Sequence, residues 1–222
     1  MTDRPNILGF PLAPGIGQFE TVASDILAAP FFTSEFCEYL INEMNIAGPH
    51  PLLPDQSRNC LLHQTREGKQ LCIEYANAVK QYVEPAIKTF WTTAATDEAD
   101  PETRLTYGNV PIPFVKKISK VDSDLSTAIA LHNDHSLFSM LVRLNSSYEG
   151  SETTYPRQDF RLNECPVGHL ALMPGSVTHP HFVSELISGT KYTLVGRLTI
   201  IAPRSDRFDD INQYFSSTTF GP

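Results

Sequence analysis

The spacing of apolar residues changes along the chain, from a helical period near the N-terminus to alternation further on. After Thr33, apolar side chains recur every three or four residues, which predicts a helix with Thr33 as its cap and an end at Gly48 and Pro49. The same period predicts a second helix over residues 69–91. Pro85 is expected to bend or interrupt this helix, because proline has no backbone N–H to donate.

Beyond residue 113 the apolar residues alternate with polar ones, which is typical of strands. Five short strands are predicted, at 114–121, 127–131, 138–144, 169–173 and 192–201. Residues 1–24 are expected to form coil or an extended lead-in, residues 92–112 a surface connection, and the segment from Arg204 onward a surface tail. Helices followed by many short strands predict an α+β fold that is mainly β, with a sandwich or barrel core.

Composition narrows the class of protein. The 222 residues are 41% apolar and carry a formal net charge of −8, which excludes a disordered chain and argues against nucleic acid as a partner. No apolar run approaches the roughly 18 residues that a membrane-spanning helix needs. The four cysteines have neither paired nor metal-like spacing, so we expect free thiols, a reducing compartment and a cytoplasmic protein.

The candidate chemistry lies in the strand-rich half of the chain. His132 and Asp134 follow a predicted strand, where residues two apart point to the same side and can converge on one point. The stretch Thr178-His179-Pro180-His181 offers two candidates for a third ligand. Two imidazoles and one carboxylate, with three coordination positions left open, are the ligand set of non-heme Fe(II) oxygenases. An H-x-D sequence alone is weak evidence, because the same residues are common in turns.

Two cations follow, one just before the last predicted strand and one within it. Lys191 lies ten residues after His181, from where its ammonium could pair with the remote carboxylate of 2-oxoglutarate. Strand alternation puts Arg197 on the same face as Lys191. A buried arginine needs a partner, so Arg197 either binds a carboxylate of the co-substrate or substrate, or forms a structural ion pair.

Further segments match one family pattern. They are L-H-N-D-H-S-L-F at 131–138, L-N at 144–145 with Y-E-G at 148–150, P-G-S-V-T-H-P-H at 174–181, G-T-K-Y at 189–192 and F-T-S-E-F-C-E-Y-L at 32–40. Together they resemble the catalytic domain of the procollagen lysyl hydroxylases, within the prolyl/lysyl hydroxylase group of Fe(II)/2-oxoglutarate dioxygenases. The resemblance spans roughly residues 25–200. Two departures are Lys191 where the family has arginine, and Ile118 where it has a tyrosine that helps to hold 2-oxoglutarate.

The resemblance implies a fold and a set of site residues. The fold would be a double-stranded β-helix, or jelly-roll barrel, at about 110–202, with helical support at about 25–92, in a single domain over residues 1–222. The iron ligands would be His132, Asp134 and His181, with His181 preferred to His179 because it stands ten residues before the cation. By the same match Lys191 would bind the co-substrate. Arg197, which strand alternation and not the resemblance puts on the same face, is the second candidate for binding it.

The resemblance also implies an activity and its co-substrates. We expect a hydroxylase that uses Fe(II), 2-oxoglutarate and O₂, with ascorbate as a stimulant, on an unactivated C–H bond of a lysine-like amino acid, free or in a peptide. The alternatives are a peptidyl-prolyl or small-metabolite hydroxylase, and a non-catalytic barrel that binds or senses a ligand. An amino acid, peptide or small molecule would be the partner, and a homodimer is compatible with the sequence.

Overall fold

The computed structural model describes residues 7–48, 50–91, 104–106, 113–121 and 124–201. The helices are α1 (Ser34–Ile46), α2 (Gly68–Ala78) and α3 (Glu84–Phe90). The strands are β1 (Glu20–Ala23), β2 (Ile26–Pro30), β3 (Ser57–Leu61), β4 (Arg104–Thr106), β5 (Phe114–Ser119), β6 (Ile129–His132), β7 (Phe138–Arg143), β8 (Tyr148–Gly150), β9 (Thr153–Tyr155), β10 (Phe160–Arg161), β11 (His169–Pro174), β12 (His181–Val183) and β13 (Leu186–Ile201).

Both predicted helices are present. Thr33 caps α1, and its hydroxyl accepts a hydrogen bond from the Phe36 backbone N–H at 3.3 Å. The second helical segment is divided, because a π-helical turn at Val79–Val83 separates α2 from α3. Pro85 lies in the first turn of α3, where its missing N–H is tolerated. The predicted interruption at Pro85 is therefore confirmed.

Within the described ranges, the strands form two antiparallel sheets. The larger one has nine strands in the order β1-β2-β11-β7-β13-β5-β3, and β4 and β8 also pair with the long strand β13. The smaller one has four strands in the order β10-β9-β12-β6. The mainly β character is confirmed, and all five predicted strands correspond to strands of the structure.

The structure also bears on three expectations about irregular segments. β1 lies within the N-terminal segment that is expected to be coil or extended, and it pairs with β2. β4 lies within the predicted connection at 92–112 and pairs with β13. The rest of that connection and the predicted tail from Arg204 lie outside the described residues.

The two faces of β13 pack against different layers. Leu194 and Leu198 join the core formed with α1, α2 and α3. Val195 packs on the other side, with Tyr155 and Phe160 of the smaller sheet. The odd-numbered positions of β13 therefore face the space between the sheets, as alternation predicts.

Two further findings concern the whole described chain. All four cysteines are buried and free, as expected. Among the described residues, none of the helices has both the length and the apolar character that crossing a membrane requires.

Candidate metal centre

Two neighbouring strands of the smaller sheet bring the predicted ligands together. His132 ends β6 and His181 begins β12, and the two residues lie directly opposite each other in the antiparallel pair. Their ring centroids are 4.3 Å apart. Asp134 follows two residues after His132, and one ligand atom from each of the three side chains lies within 4.8 Å of the others.

Each of the two histidines is oriented by a backbone carbonyl two residues before it. His132 Nδ1 is 2.9 Å from the Ala130 carbonyl oxygen, and His181 Nδ1 is 3.1 Å from that of His179. An Nδ1–H that donates to a carbonyl leaves the Nε2 lone pair available to a metal ion. Burial lowers the pKa of His181, which favours the neutral ring that a metal requires.

Asp134 is buried, and both of its carboxylate oxygens accept hydrogen bonds. Ser139 Oγ donates to Oδ2 at 2.6 Å, and Arg197 Nη2 donates to Oδ1 at 2.9 Å. Burial alone would raise the pKa of Asp134, but the bond from Ser139 and the charge of Arg197 outweigh burial and lower the pKa. This candidate ligand is therefore ionised near neutral pH.

His179, the competing candidate, lies outside this group of three. Its ring Nδ1 is 2.9 Å from the Thr178 hydroxyl, and its carbonyl accepts from His181. The structure thus brings His181, not His179, to the other two candidate ligands.

A buried aromatic ring covers one side of the centre. Tyr155 of β9 stacks on His181 with 4.7 Å between ring centroids and 28° between the ring planes. Its hydroxyl is buried and has no hydrogen-bond partner among the described residues. Sequence reasoning missed Tyr155, because a strand of three residues is too short to show a period.

Lys191 occupies a different part of the space between the sheets. It is only 2% exposed, and its Nζ donates to the Ser151 carbonyl at 2.6 Å and to Thr153 Oγ1 at 2.8 Å. Among the described residues no carboxylate lies within ion-pair distance of Nζ. Burial, with smaller contributions from Arg143 and Lys116, lowers the pKa of Lys191 to about 7.

The neighbours of Lys191 offer further donors and an apolar wall. The hydroxyls of Ser151 and Thr193 are buried and have no hydrogen-bond partner among the described residues. Ile118 lies opposite Lys191 in the β5–β13 pair and packs with Val183. A buried ammonium with hydroxyl donors beside it is suited to a carboxylate.

Arg197 lies on the same face of β13, six residues further along, which corresponds to about 20 Å of extended strand. Its side chain is 34% exposed and pairs with Asp134. The two cations therefore occupy opposite ends of this face. The ion pair that the sequence left open for Arg197 is present.

Comparisons with known proteins reveal a shared fold. The sequence matches no protein-family model and no curated protein sequence. The chain resembles the 2OG complex of the viral collagen prolyl hydroxylase from Paramecium Bursaria Chlorella virus-1, with 12% identity, a TM-score of 0.57, and coverage of 80% of this chain and 97% of that one.

Two bacterial structures resemble the chain to a similar degree. One is a prolyl-4-hydroxylase from Pseudomonas putida, with 14% identity, a TM-score of 0.53, and coverage of 79% of this chain and 92% of the other. The second is an oxidoreductase of the 2OG-Fe(II) oxygenase family from Burkholderia pseudomallei, with 12% identity and a TM-score of 0.51. The match covers 79% of this chain and 84% of the other. The chain therefore has the fold of these oxygenases. Two of the three neighbours are prolyl hydroxylases, and none of the three is described as a lysyl hydroxylase.

Proposed function

We propose that the chain is an Fe(II)- and 2-oxoglutarate-dependent oxygenase in which His132, Asp134 and His181 hold the metal. The convergence of their ligand atoms within 4.8 Å carries this proposal. The two-sheet fold supports a single domain over residues 1–222, built on a double-stranded β-helix. The buried free thiols support a reducing, cytoplasmic location.

The three side chains suit iron in their chemistry. Two neutral imidazole nitrogens and one ionised carboxylate hold Fe(II) and leave positions for other ligands. Bound Fe(II) would supply the redox chemistry by which O₂ oxidises 2-oxoglutarate to succinate and CO₂ and inserts its second oxygen atom into a C–H bond. The chain contributes orientation: carbonyl oxygens fix both histidine rings, and the ring of Tyr155 covers His181.

We infer that Lys191 binds the remote carboxylate of 2-oxoglutarate. The ammonium of Lys191 donates only to neutral oxygens and lies 6.0 Å from the centroid of the Tyr148 ring. A buried ammonium with neutral partners is unfavourable unless an anion joins it. The free hydroxyls of Ser151 and Thr193 can donate to the same carboxylate. Arg197 is too far along the strand to share this group, so any contact with the co-substrate would be at the metal end.

For the substrate, we propose an amino acid residue in a peptide, with proline ahead of lysine. Two structural neighbours with the same fold are prolyl hydroxylases. Asp134 is already paired with Arg197, so this carboxylate offers no uncompensated negative charge to an approaching lysine side chain. A lysine-like substrate remains the expectation from the sequence resemblance, and a small metabolite is the other alternative.

A turnover assay tests the proposal. Purified protein is incubated with Fe(II), 2-oxoglutarate, O₂ and ascorbate, together with peptides that contain either proline or lysine and with the free amino acids. The expected result is succinate release coupled to a mass gain of one oxygen atom, and neither should occur with the matched Asp134→Ala variant. Metal and 2-oxoglutarate binding without any turnover would favour the non-catalytic barrel, and absence of metal binding would refute the proposed centre.

A further inference from the structure

We propose that Arg197 and Ser139 are positioning residues that hold the carboxylate of Asp134 in its metal-binding orientation. The proposal rests on the assignment of Asp134 as a metal ligand. It adds a function for two residues that lie outside the candidate ligand group and belong to the opposite sheet.

Strand register brings the two residues to the same point. Ser139 of β7 and Arg197 of β13 are directly opposite each other in the antiparallel pair. From the larger sheet they reach Asp134, which follows the end of β6 in the smaller sheet. Each binds a different oxygen of the carboxylate, at 2.6 Å for Ser139 and 2.9 Å for Arg197. Two contacts on two oxygens fix the plane of the carboxylate, which one contact would leave free to rotate.

The backbone around Asp134 is held by the turn that precedes β12. Ser176 N–H donates to the Asp134 carbonyl at 2.8 Å, and Gly175 N–H donates to the Leu137 carbonyl at 2.8 Å. Gly175 permits this approach, because a Cβ at that position would lie 2.2 Å from the Ser136 carbonyl oxygen. The backbone of Asp134 is therefore anchored independently, so Arg197 and Ser139 act on its side chain.

Ser139 is itself oriented by a neighbour. Its hydroxyl is 3.0 Å from the Ser136 hydroxyl, and both serines are buried. A hydroxyl with one donor hydrogen gives that hydrogen to Asp134 and can accept from Ser136. The contact is thus part of a directed chain of hydrogen bonds.

The two contacts leave the carboxylate able to bind a metal. Each carboxylate oxygen has two lone pairs, and Ser139 and Arg197 occupy one on each oxygen. The guanidinium also places a positive charge near the centre, which opposes cation binding. Orientation of the carboxylate by Arg197 should raise metal affinity, whereas repulsion by its charge should lower it. The sign of the change in metal affinity when Arg197 is mutated therefore distinguishes a positioning role from simple neutralisation of Asp134.

Metal titration without 2-oxoglutarate or substrate tests the proposal, using Mn²⁺ and, anaerobically, Fe²⁺ as probes. Outer contacts of this kind cost about tenfold to hundredfold in metal affinity when removed. We expect such a loss in both Arg197→Gln and Ser139→Ala, and partial recovery in Arg197→Lys, which keeps a charged donor. The visible absorption spectrum of bound Co²⁺ should change in both damaged variants, because the carboxylate would bind in another orientation.

The controls separate the alternatives. Arg161→Gln removes an exposed arginine of β10 that pairs with Glu152 at 3.7 Å, and it should leave metal affinity unchanged. Thermal unfolding of each metal-free variant establishes whether it is folded. If Arg197→Gln does not fold, the metal affinity of Ser139→Ala tests the proposal. Equal or tighter metal binding by folded Arg197→Gln, or an unchanged affinity in Ser139→Ala, would overturn the positioning role while the metal centre stands. A wild-type protein that binds no metal would overturn both.

Discussion

The two cations on the inner face of β13 are placed in opposite environments. Lys191 is almost fully buried, and its hydrogen bonds go to neutral oxygens. Arg197 is one-third exposed and pairs with a buried carboxylate. They belong to the same strand and face the same way, so their difference comes from the segments opposite them. Ser151, two residues before β9, presents a carbonyl to Lys191 and Thr153 of β9 presents a hydroxyl. Asp134, just after the end of β6, is presented to Arg197.

The contrast distinguishes a ligand site from an ion pair within the protein. A charge whose partner is part of the same chain is already compensated, and its side chain has a structural explanation. A buried charge without an anionic partner among the described residues has no such explanation, and it indicates a ligand that completes the site. Lys191 is therefore the stronger candidate for binding an anionic co-substrate.

The largest effect is expected at the three candidate metal ligands, which lie near Arg197. His132→Ala, Asp134→Ala and His181→Ala should each abolish metal binding and turnover, because a two-ligand site holds the ion weakly and in the wrong geometry. His179→Ala is the matched control and should keep most activity, since the carbonyl that orients His181 belongs to the backbone. Calorimetric metal titration of the four variants checks this. Loss of metal binding in His179→Ala, with metal binding retained in His181→Ala, would make His179 the third ligand in place of His181.

The next effect concerns the Lys191 end. Lys191→Ala should weaken 2-oxoglutarate binding about tenfold to hundredfold, the equivalent of a charge-assisted hydrogen bond of roughly 1.5–3 kcal/mol. Metal affinity should be nearly unchanged, because Lys191 contacts none of the three candidate ligands. Arg197→Gln should give the opposite pattern, with weaker metal binding and a smaller change for 2-oxoglutarate. Titration of both variants with 2-oxoglutarate in the presence of Mn²⁺ compares them. Loss of co-substrate affinity in the Arg197 variant alone would mean that the remote carboxylate binds at Arg197 and not at Lys191.

The candidate ligands and the candidate cation could be proposed from the sequence because short spacings, and the resemblance that they support, single them out. His132 and Asp134 are two residues apart at a strand end, and Lys191 follows His181 at a fixed interval. The hydrophobic pattern likewise predicted the capped helix after Thr33 and the change to strands near residue 114.

The remaining contacts of the site were not predictable because they depend on strand pairing. Ser139 meets Arg197 through the register of β7 with β13, which no local pattern encodes. β9 and β12 have three residues each, so alternation could not identify Thr153 or Tyr155 as inward-facing. The partner that distinguishes Arg197 from Lys191 also comes from the opposite sheet.

A smaller effect is expected in the pH dependence of 2-oxoglutarate affinity, which should report on Lys191. The pKa of Lys191 is lowered to about 7, so above pH 7 an increasing fraction of the ligand-free protein carries a neutral amine. Because a carboxylate binds the charged form, 2-oxoglutarate affinity should fall as the pH rises, by at most about tenfold per pH unit. Lys191→Arg keeps its charge and should show a nearly flat profile from pH 7 to 9. Isothermal titration across this range tests the difference, and parallel profiles for the two proteins would contradict it.

The smallest effect is on the stability of the ligand-free protein. Replacing Lys191 and replacing Arg197 should change the free energy of unfolding in opposite directions. Lys191→Met removes a buried charge that has no anionic partner and keeps most of the side-chain volume, so the free energy of unfolding should rise by about 1–3 kcal/mol at pH 6. Arg197→Met leaves Asp134 buried with one hydrogen bond fewer, and the free energy should fall by about 1–3 kcal/mol, reduced toward the lower value by the exposure of the guanidinium.

The sign of the pH dependence follows from the lowered pKa of Lys191. Below pH 7 the ammonium is charged in both the folded and the unfolded chain, and its burial cost is fully present. Between pH 7 and about 10 the unfolded chain keeps the proton that the folded chain loses, so the unfolded chain binds more protons and stability rises with pH. The advantage of Lys191→Met over the wild type should therefore shrink from pH 6 to pH 9, while the deficit of Arg197→Met stays constant. Urea unfolding at both pH values measures these differences, and destabilisation by Lys191→Met at pH 6 would mean that its ammonium is compensated within the chain and that the contrast with Arg197 does not hold.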